Sequence, residues 1–264
     1  MPVAAFNAFT VPSPVILLQK EVPLTSAPLV ALRVLCSTCH LRELCVPCDM
    51  SSSDVQRLDD LKFGRRRVKA GQTLYRAGDH FQFMYAVRSG TFRSNLMLPD
   101  GREQVNGFYM AGELMGLDGV AHDTHGSSTT ALEDAEVCVI PYAGLSNLAK
   151  SHAGLQQVVA KLMSRELLRA ESLMLLLGSM NAEEKLATFL LNLSHRLKVR
   201  GYSASEFHLR MSRAEIGSYL GMTLETVSRI FSAFQQARLL EVDKRHIRLI
   251  DLDGLRRAFE IRLH

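Results

Sequence analysis

A run of 23 residues, 155–177, contains neither glycine nor proline and consists largely of leucine, methionine, alanine, glutamate and arginine. As a single helix it would extend roughly 35 Å, more than packing within one small domain requires. Ala160, Met163, Leu167, Ala170, Met174 and Leu177 step along it by 3, 4, 3, 4 and 3, the spacing of an a/d seam. A second apolar set, Leu162, Leu168, Leu173, Leu175 and Leu176, lies off that seam. One stripe would serve the helix's own domain and the other a second subunit, so a parallel two-helix homodimer is the economical expectation. The helix also divides the chain, because the patterns on its two sides differ.

On the N-terminal side, glycines recur at 71, 78, 90, 101, 107, 112 and 116 between short alternating or apolar runs such as 83–87 and 137–140. Asp100-Gly101 marks a hairpin between strands 91–98 and 103–109. Many short strands punctuated by glycine predict a β-sandwich or jelly roll. On the C-terminal side the pattern turns helical. Residues 183–199 bury Leu186, Phe189, Leu190, Leu193 and Leu197, and Ser212-Arg213-Ala214-Glu215 is a capping box opening a helix to Leu220. Gly221 breaks that helix, and Thr223 opens another reaching about Arg238. Two short helices joined at a glycine turn make a helix-turn-helix. Alternating residues 240–242 and 247–250 then form a small hairpin in the place of a wing.

Charge follows the same division. The net formal charge is only +4, but residues 182–264 hold 14 Lys and Arg against 10 Asp and Glu, while the rest of the chain balances. The surplus therefore sits in the helix-turn-helix portion, as expected for a module facing a polyanion. On the second helix of the motif, Glu225, Ser228 and Arg229 fall at i, i+3 and i+4 near the N-terminus. That is the part of a recognition helix that enters the major groove of double-stranded DNA. Arginine there can pair with guanine O6 and N7, and glutamate can accept from cytosine N4. Val227, Ile230, Phe231 and Phe234 lie largely on other faces and would pack the motif's core.

Five cysteines are present, four of them in Cys36-x2-Cys39-x5-Cys45-x2-Cys48, with Cys138 alone in the apolar run Val137-Cys138-Val139-Ile140. An odd count argues against a fully paired disulfide scaffold. Four soft donors within thirteen residues suit a metal, and spacing alone leaves zinc and an iron–sulfur cluster equally open. Taken by spacing, Cys48 would be the fourth ligand and Cys138 an inert buried thiol. Residues 1–34 lack periodicity and carry Pro2, Pro12, Pro14, Pro23 and Pro28, which predicts a flexible extension. After the cysteine segment a short helix capped by Ser53 would turn Val55, Leu58 and Leu61 inward. With 47% hydrophobic and 22% charged residues the chain is expected to be globular, and it has no cationic secretory start and no spanning segment, so a cytoplasmic location away from membranes is expected. No G-x-G-x-x-G, P-loop or H-E-x-x-H is found, so no enzyme is expected.

A glycine-punctuated β-roll, a long dimerising helix and a winged helix-turn-helix, in that order, resemble the cyclic-AMP receptor protein/FNR superfamily of bacterial transcription regulators. Two motifs sharpen the resemblance to its oxygen-sensing FNR branch: Glu225-x-x-Ser228-Arg229, and the Cys-x2-Cys-x5-Cys segment followed by distant Cys138. The resemblance implies an α+β chain: a flexible extension (1–34), a cluster-binding segment (35–50), a β-jelly-roll sensor of the cyclic-nucleotide-binding type (51–150), a dimerisation helix (151–180) and a winged helix-turn-helix (181–264). It implies that Cys36, Cys39, Cys45 and Cys138 bind a [4Fe–4S] cluster and that Cys48 is spare. It further implies an anaerobic homodimer on a palindromic operator, working with RNA polymerase, for which the hairpin loop 98–102 is a candidate surface. FNR proteins carry an acidic residue within the seam where this chain has Ala170 with Glu171 beside it, which implies readier dimerisation of the cluster-free form.

Three alternatives remain at this point. A zinc-stabilised regulator would keep the winged motif without a chromophore. An iron–sulfur redox protein would need a substrate constellation that the sequence does not present. A cyclic-nucleotide-responsive regulator is suggested by Gly112-Glu113-Leu114-x-Gly116, but a bound phosphate needs a cation, and 112–132 contains no Lys or Arg.

Overall fold

The computed structural model describes residues 35–257 except Asp49, Lys62 and Pro99, so the extension expected for 1–34 lies outside the described residues. Eight short strands follow a first helix, α1 (Ser52–Asp59): β1 (Gly64–Val68), β2 (Thr73–Tyr75), β3 (Phe83–Ser89), β4 (Thr91–Met97), β5 (Glu103–Met110), β6 (Leu114–Met115), β7 (Ser128–Ala131) and β8 (Ala135–Pro141). They form two antiparallel four-stranded sheets, ordered β1-β8-β3-β6 and β2-β7-β4-β5. The turn at Asp100-Gly101 joins β4 to β5 with Met97 opposite Glu103, as its sequence predicts.

Because strand side chains alternate, β3, β6 and β8 of the first sheet each serve two cores. Tyr85, Val87, Val137 and Val139 point between the sheets and meet Val68, Phe92 and Met115. Met84, Ala86, Cys138 and Ile140 point the other way, where α1, the cysteine segment and the following helices cover them. The cap of α1 is Ser51 rather than Ser53, its hydroxyl accepting the Asp54 N–H. Ser51 is the residue with extended backbone ahead of the first turn, whereas Ser53 already lies inside it. Val55 and Leu58 are buried, while Leu61 is only half-buried.

Helices α2 (Tyr142–Ser151) and α3 (Ala153–Ser179) are separated by the extended backbone of His152. Leu155, Val158, Leu162 and Leu176 form the buried stripe of α3. The inward set is thus narrower than the sequence suggested, because Leu168 and Leu175 lie exposed, adjoining the seam. Helix α4 (Ala182–Val199) opens with an Asn181–Glu184 capping box. It leads through β9 (Glu206–His208) to α5 (Arg213–Leu220), α6 (Leu224–Gln236), β10 (Leu240–Asp243), β11 (His246–Leu249) and α7 (Leu252–Arg257). The expected wing hairpin β10–β11 gains a third strand, in the order β10-β11-β9. One continuous core joins Val105, Phe108 and Met110 of the roll to Leu176, α4, α5 and α6. No helix among the described residues is long and apolar enough to cross a membrane.

Candidate thiol centre and nucleic-acid interface

The cysteine segment is a chain of tight turns. Cys39 N–H bonds Cys36 C=O at 3.2 Å, and Cys48 N–H bonds Cys45 C=O at 3.1 Å. Asp59, at the end of α1, accepts the Cys36 and Ser37 backbone N–H groups and pins the segment's start. Its far end lies against the roll at Gly112, whose φ is +87° and where a Cβ would come 2.7 Å from Leu44 Cβ. Only glycine suits that backbone and that approach.

This packing brings three of the segment's thiols toward Cys138 on β8. Burial pushes the Cys36 thiol far above its usual range, with Cys45, Asp59, Cys138 and Cys39 each adding negative charge that raises it further. Cys45 is pushed up to about 12, again first by burial and then by Cys138 and Cys39 against an opposing bond to Val46. Burial also raises Cys138, opposed by Arg88, and Cys39 again acts on it. Cys36, Cys39, Cys45 and Cys138 therefore lie within electrostatic reach of one another. Cys48 points elsewhere, with its Sγ 4.0 Å from Arg165 Nη2 on α3. All five cysteines are free. Among the described residues no group of three or more His, Cys, Asp or Glu side chains is arranged to hold a metal ion. As a donor set the four neighbouring thiols are soft and sulfur-only, which fits iron–sulfur or zinc chemistry rather than an oxygen-preferring cation.

Glu113 has a different role from the one its Gly112-Glu113-Leu114 setting suggested. Arg196 donates to its carboxylate at 2.6 and 3.0 Å, Arg200 at 2.7 Å and Arg169 at 3.5 Å. The same arginines bond roll carbonyls: Arg169 and Arg196 reach Phe108 O at 2.6 and 2.7 Å, and Arg200 reaches Ala111 O at 2.7 Å. Burial alone would raise the Glu113 carboxyl, but Arg196, Arg169 and Arg200 outweigh it and hold it below the usual carboxylate range. One roll carboxylate thus clamps the long helix and the DNA-binding part together. Ser218 of α5 reinforces the contact by bonding Val105 N–H at 2.9 Å and the Gln104 amide.

The neighbouring cavity, about 330 Å³, is lined by Tyr75, Tyr109, Asp118, Ser127, Met163 and Glu166 among others. His125 stacks on Tyr75 at 3.9 Å and bonds Asp118 at 3.5 Å. Arg169 lies over the Tyr109 ring at 4.2 Å, but its guanidinium is already committed to Glu113 and Phe108. A cyclic phosphate entering here would meet two carboxylates and no free cation among the lining residues, which disfavours it.

In the winged motif, Gly221 takes φ +64° to cap α5, and the Thr223 hydroxyl accepts Thr226 N–H to cap α6. Val227, Ile230, Phe231 and Phe234 are buried, as their spacing predicts, and Glu225, Ser228 and Arg229 are exposed on the free face. Backbone and Thr223 hydroxyl hydrogen bonds at the helix start hold the Glu225 carboxyl below its ordinary value, so it is an acceptor at neutral pH. Along α3, Ala160, Met163, Leu167, Ala170 and Met174 are exposed and Leu177 is half-buried. At the β4–β5 turn, Met97 is 61% exposed beside Leu96 and Leu98, an apolar tip rimmed by the Arg102–Asp100 ion pair.

Comparison with known proteins agrees with this arrangement. Residues 65–152 match the cyclic nucleotide-binding domain family and residues 184–258 the Crp-like helix-turn-helix domain family. The transcriptional regulatory protein btr of Bordetella pertussis is 47% identical over 84% of this chain and 91% of its own length. The fumarate and nitrate reduction regulatory protein of Yersinia pestis is 39% identical over 83% of this chain and 88% of its own. The solved structure of FixK2 from Bradyrhizobium japonicum is similar at a TM-score of 0.69 and 32% identity, covering 74% of this chain and 96% of that one.

Proposed function

Since this chain belongs to the CRP/FNR family of DNA-binding transcription regulators, beside its FNR-named members, we propose that it is an oxygen-responsive regulator. In this reading it binds a palindromic operator as a homodimer when oxygen is scarce. The observation that carries the reading is the gathering of Cys138 with Cys36, Cys39 and Cys45 across 93 residues of chain, with Cys48 left aside. The name of a similar Haemophilus influenzae protein, anaerobic regulatory protein, supports the same direction.

Cys36, Cys39, Cys45 and Cys138 would hold a [4Fe–4S] cluster, which when bound supplies an oxygen-labile crosslink between the segment and β8. The rest follows from the chain's own packing. Cys36, Val46 and Met50 share one core with Leu155, Val158 and Leu162, so tying the segment to β8 steadies the first turns of α3. Those turns carry Ala160 and Met163, the start of the pairing seam. Alanine and methionine positions bury modest area compared with a leucine-only seam, so pairing is marginal and easily biased. A bias of about 3 kcal/mol shifts the dimer constant roughly a hundredfold. Pairing sets two recognition helices on successive major grooves of one face, where Glu225, Ser228 and Arg229 read base edges. The apolar tip at Leu96, Met97 and Leu98 is the surface offered to RNA polymerase.

The test is an optical spectrum of protein purified without oxygen, before and after air. An iron–sulfur absorption band that bleaches is expected. A colourless protein containing zinc would overturn the reading.

A further inference from the structure

The strands flanking Cys138 carry two arginines that neither the clamp at Glu113 nor the recognition helix uses. Arg65 on β1 is the direct cross-strand partner of Cys138. On the other side Ala86 of β3 faces Cys138, and the register then slips so that Val87 opposes Val137 while Ser89 opposes Glu136. Arg88 is the extra residue of that bulge, a device that re-aims a side chain beside a functional centre. Its Nη1 lies 3.9 Å from Cys39 Sγ and its Nε bonds Glu136 at 3.0 Å. Arg65 Nε is buried and has no hydrogen-bond partner. The carboxylate beside Arg88 is Glu136, which Arg88 already engages, while Asp59, on the other side of the thiols, accepts the Cys36 backbone N–H. Two guanidiniums are thus held at a thiol centre with one of them incompletely satisfied, an arrangement that is costly unless negative charge arrives there.

We propose that Arg65 and Arg88 are positioning residues for the thiol centre, holding the net negative charge that four thiolates bring when the site is filled. Arg88 links Cys39 of the cysteine segment to Cys138 of β8, and Arg65 backs Cys138 from the opposite side. The proposal rests on the cluster reading above. Residues that support metal ligands from behind characteristically change retention by ten- to a hundredfold when removed.

The experiment uses the full chain reconstituted with ferrous iron and sulfide without oxygen. Iron and sulfide content are measured, then the rate at which an iron chelator strips the iron, still without oxygen. R88Q is expected to load iron and sulfide and to release them roughly tenfold faster or more than the unaltered protein. R88K should recover part of the retention, since lysine keeps the charge but not the planar fork. R65Q should accelerate release in the same direction. Melting of the iron-free proteins separates this role from a structural one, because retention should follow charge while R88Q and R88K melt alike. If R88Q fails to fold, R88K and R65Q carry the comparison. Full loading with unaltered stripping rates in R88Q and R65Q would overturn the proposal while leaving the cluster reading intact. An unaltered protein that takes up no iron and sulfide would overturn both.

Discussion

Spacing alone makes Cys48 the fourth ligand and Cys138 an inert thiol; the packing around the two supports the reverse assignment proposed above. Cys48 completes a compact sulfur run, yet its place in the last turn of the segment directs it toward Arg165. Cys138 is isolated in sequence, yet strand alternation places it with Met84, Ala86 and Ile140 on the sheet face that the cysteine segment covers. A periodic pattern identifies which face a residue shares, but not which distant loop will cover that face. The proposed ligand set follows the resemblance to the FNR branch, which spacing does not carry. Accordingly, C138A should lose the iron–sulfur absorbance of anaerobically prepared protein and C48A should keep it; the reverse pair of results would exchange their roles. Base reading proposed for Arg229 is open to an equally specific test. R229A should bind its operator about tenfold or more weakly, the equivalent of ~1–3 kcal/mol, and lose preference at one G·C pair when selected against randomised duplexes. An evenly weakened affinity with unchanged preference would instead make Arg229 a phosphate contact.

Among the elements, α3 and the winged motif were the most legible, because caps, glycine breaks and a 3.6-residue period are local signals. Ser212 with Glu215, and Gly221, stand where such signals begin and end a helix. The third wing strand was not legible: Glu206–His208 is three residues long and exists through pairing with β11, a non-local contact. On α3 Met163, Leu167 and Met174 form an exposed apolar face, the one proposed above to pair with a second copy of the helix. L167A removes a seam side chain worth ~1.5 kcal/mol or more when buried, so sedimentation should show at least a tenfold weaker dimer. Introducing an acid at the adjoining position tests the seam from the other side. A170D should shift the iron-free protein toward monomer through like-charge repulsion across the two-fold axis, whereas an unchanged distribution would place the seam elsewhere.

For the whole molecule, the decisive wiring passes through Glu113, where one roll carboxylate holds Arg169 of α3, Arg196 of α4 and Arg200 at the end of α4. These partners lie 56 to 87 residues away in the chain, so no local pattern could have revealed them. E113Q leaves three arginines facing an uncharged group and should destabilise the fold by about 3 kcal/mol, read as a lowered unfolding midpoint. The pH dependence has a definite sign. The folded-state value lies below the ordinary one, so the stabilisation is complete above the unfolded carboxyl value of about 4.3 and is lost as pH falls through the lowered folded value. In E113Q this acid-side loss should shrink. With the thiol segment, the seam and the recognition helices joined through this frame, the state of the thiol centre should reach the DNA. The most direct test is the operator affinity of one anaerobic preparation, measured before and after exposure to air. Roughly a hundredfold weaker binding is expected after air, in step with loss of iron and of dimer. Equal affinity in both states would contradict it.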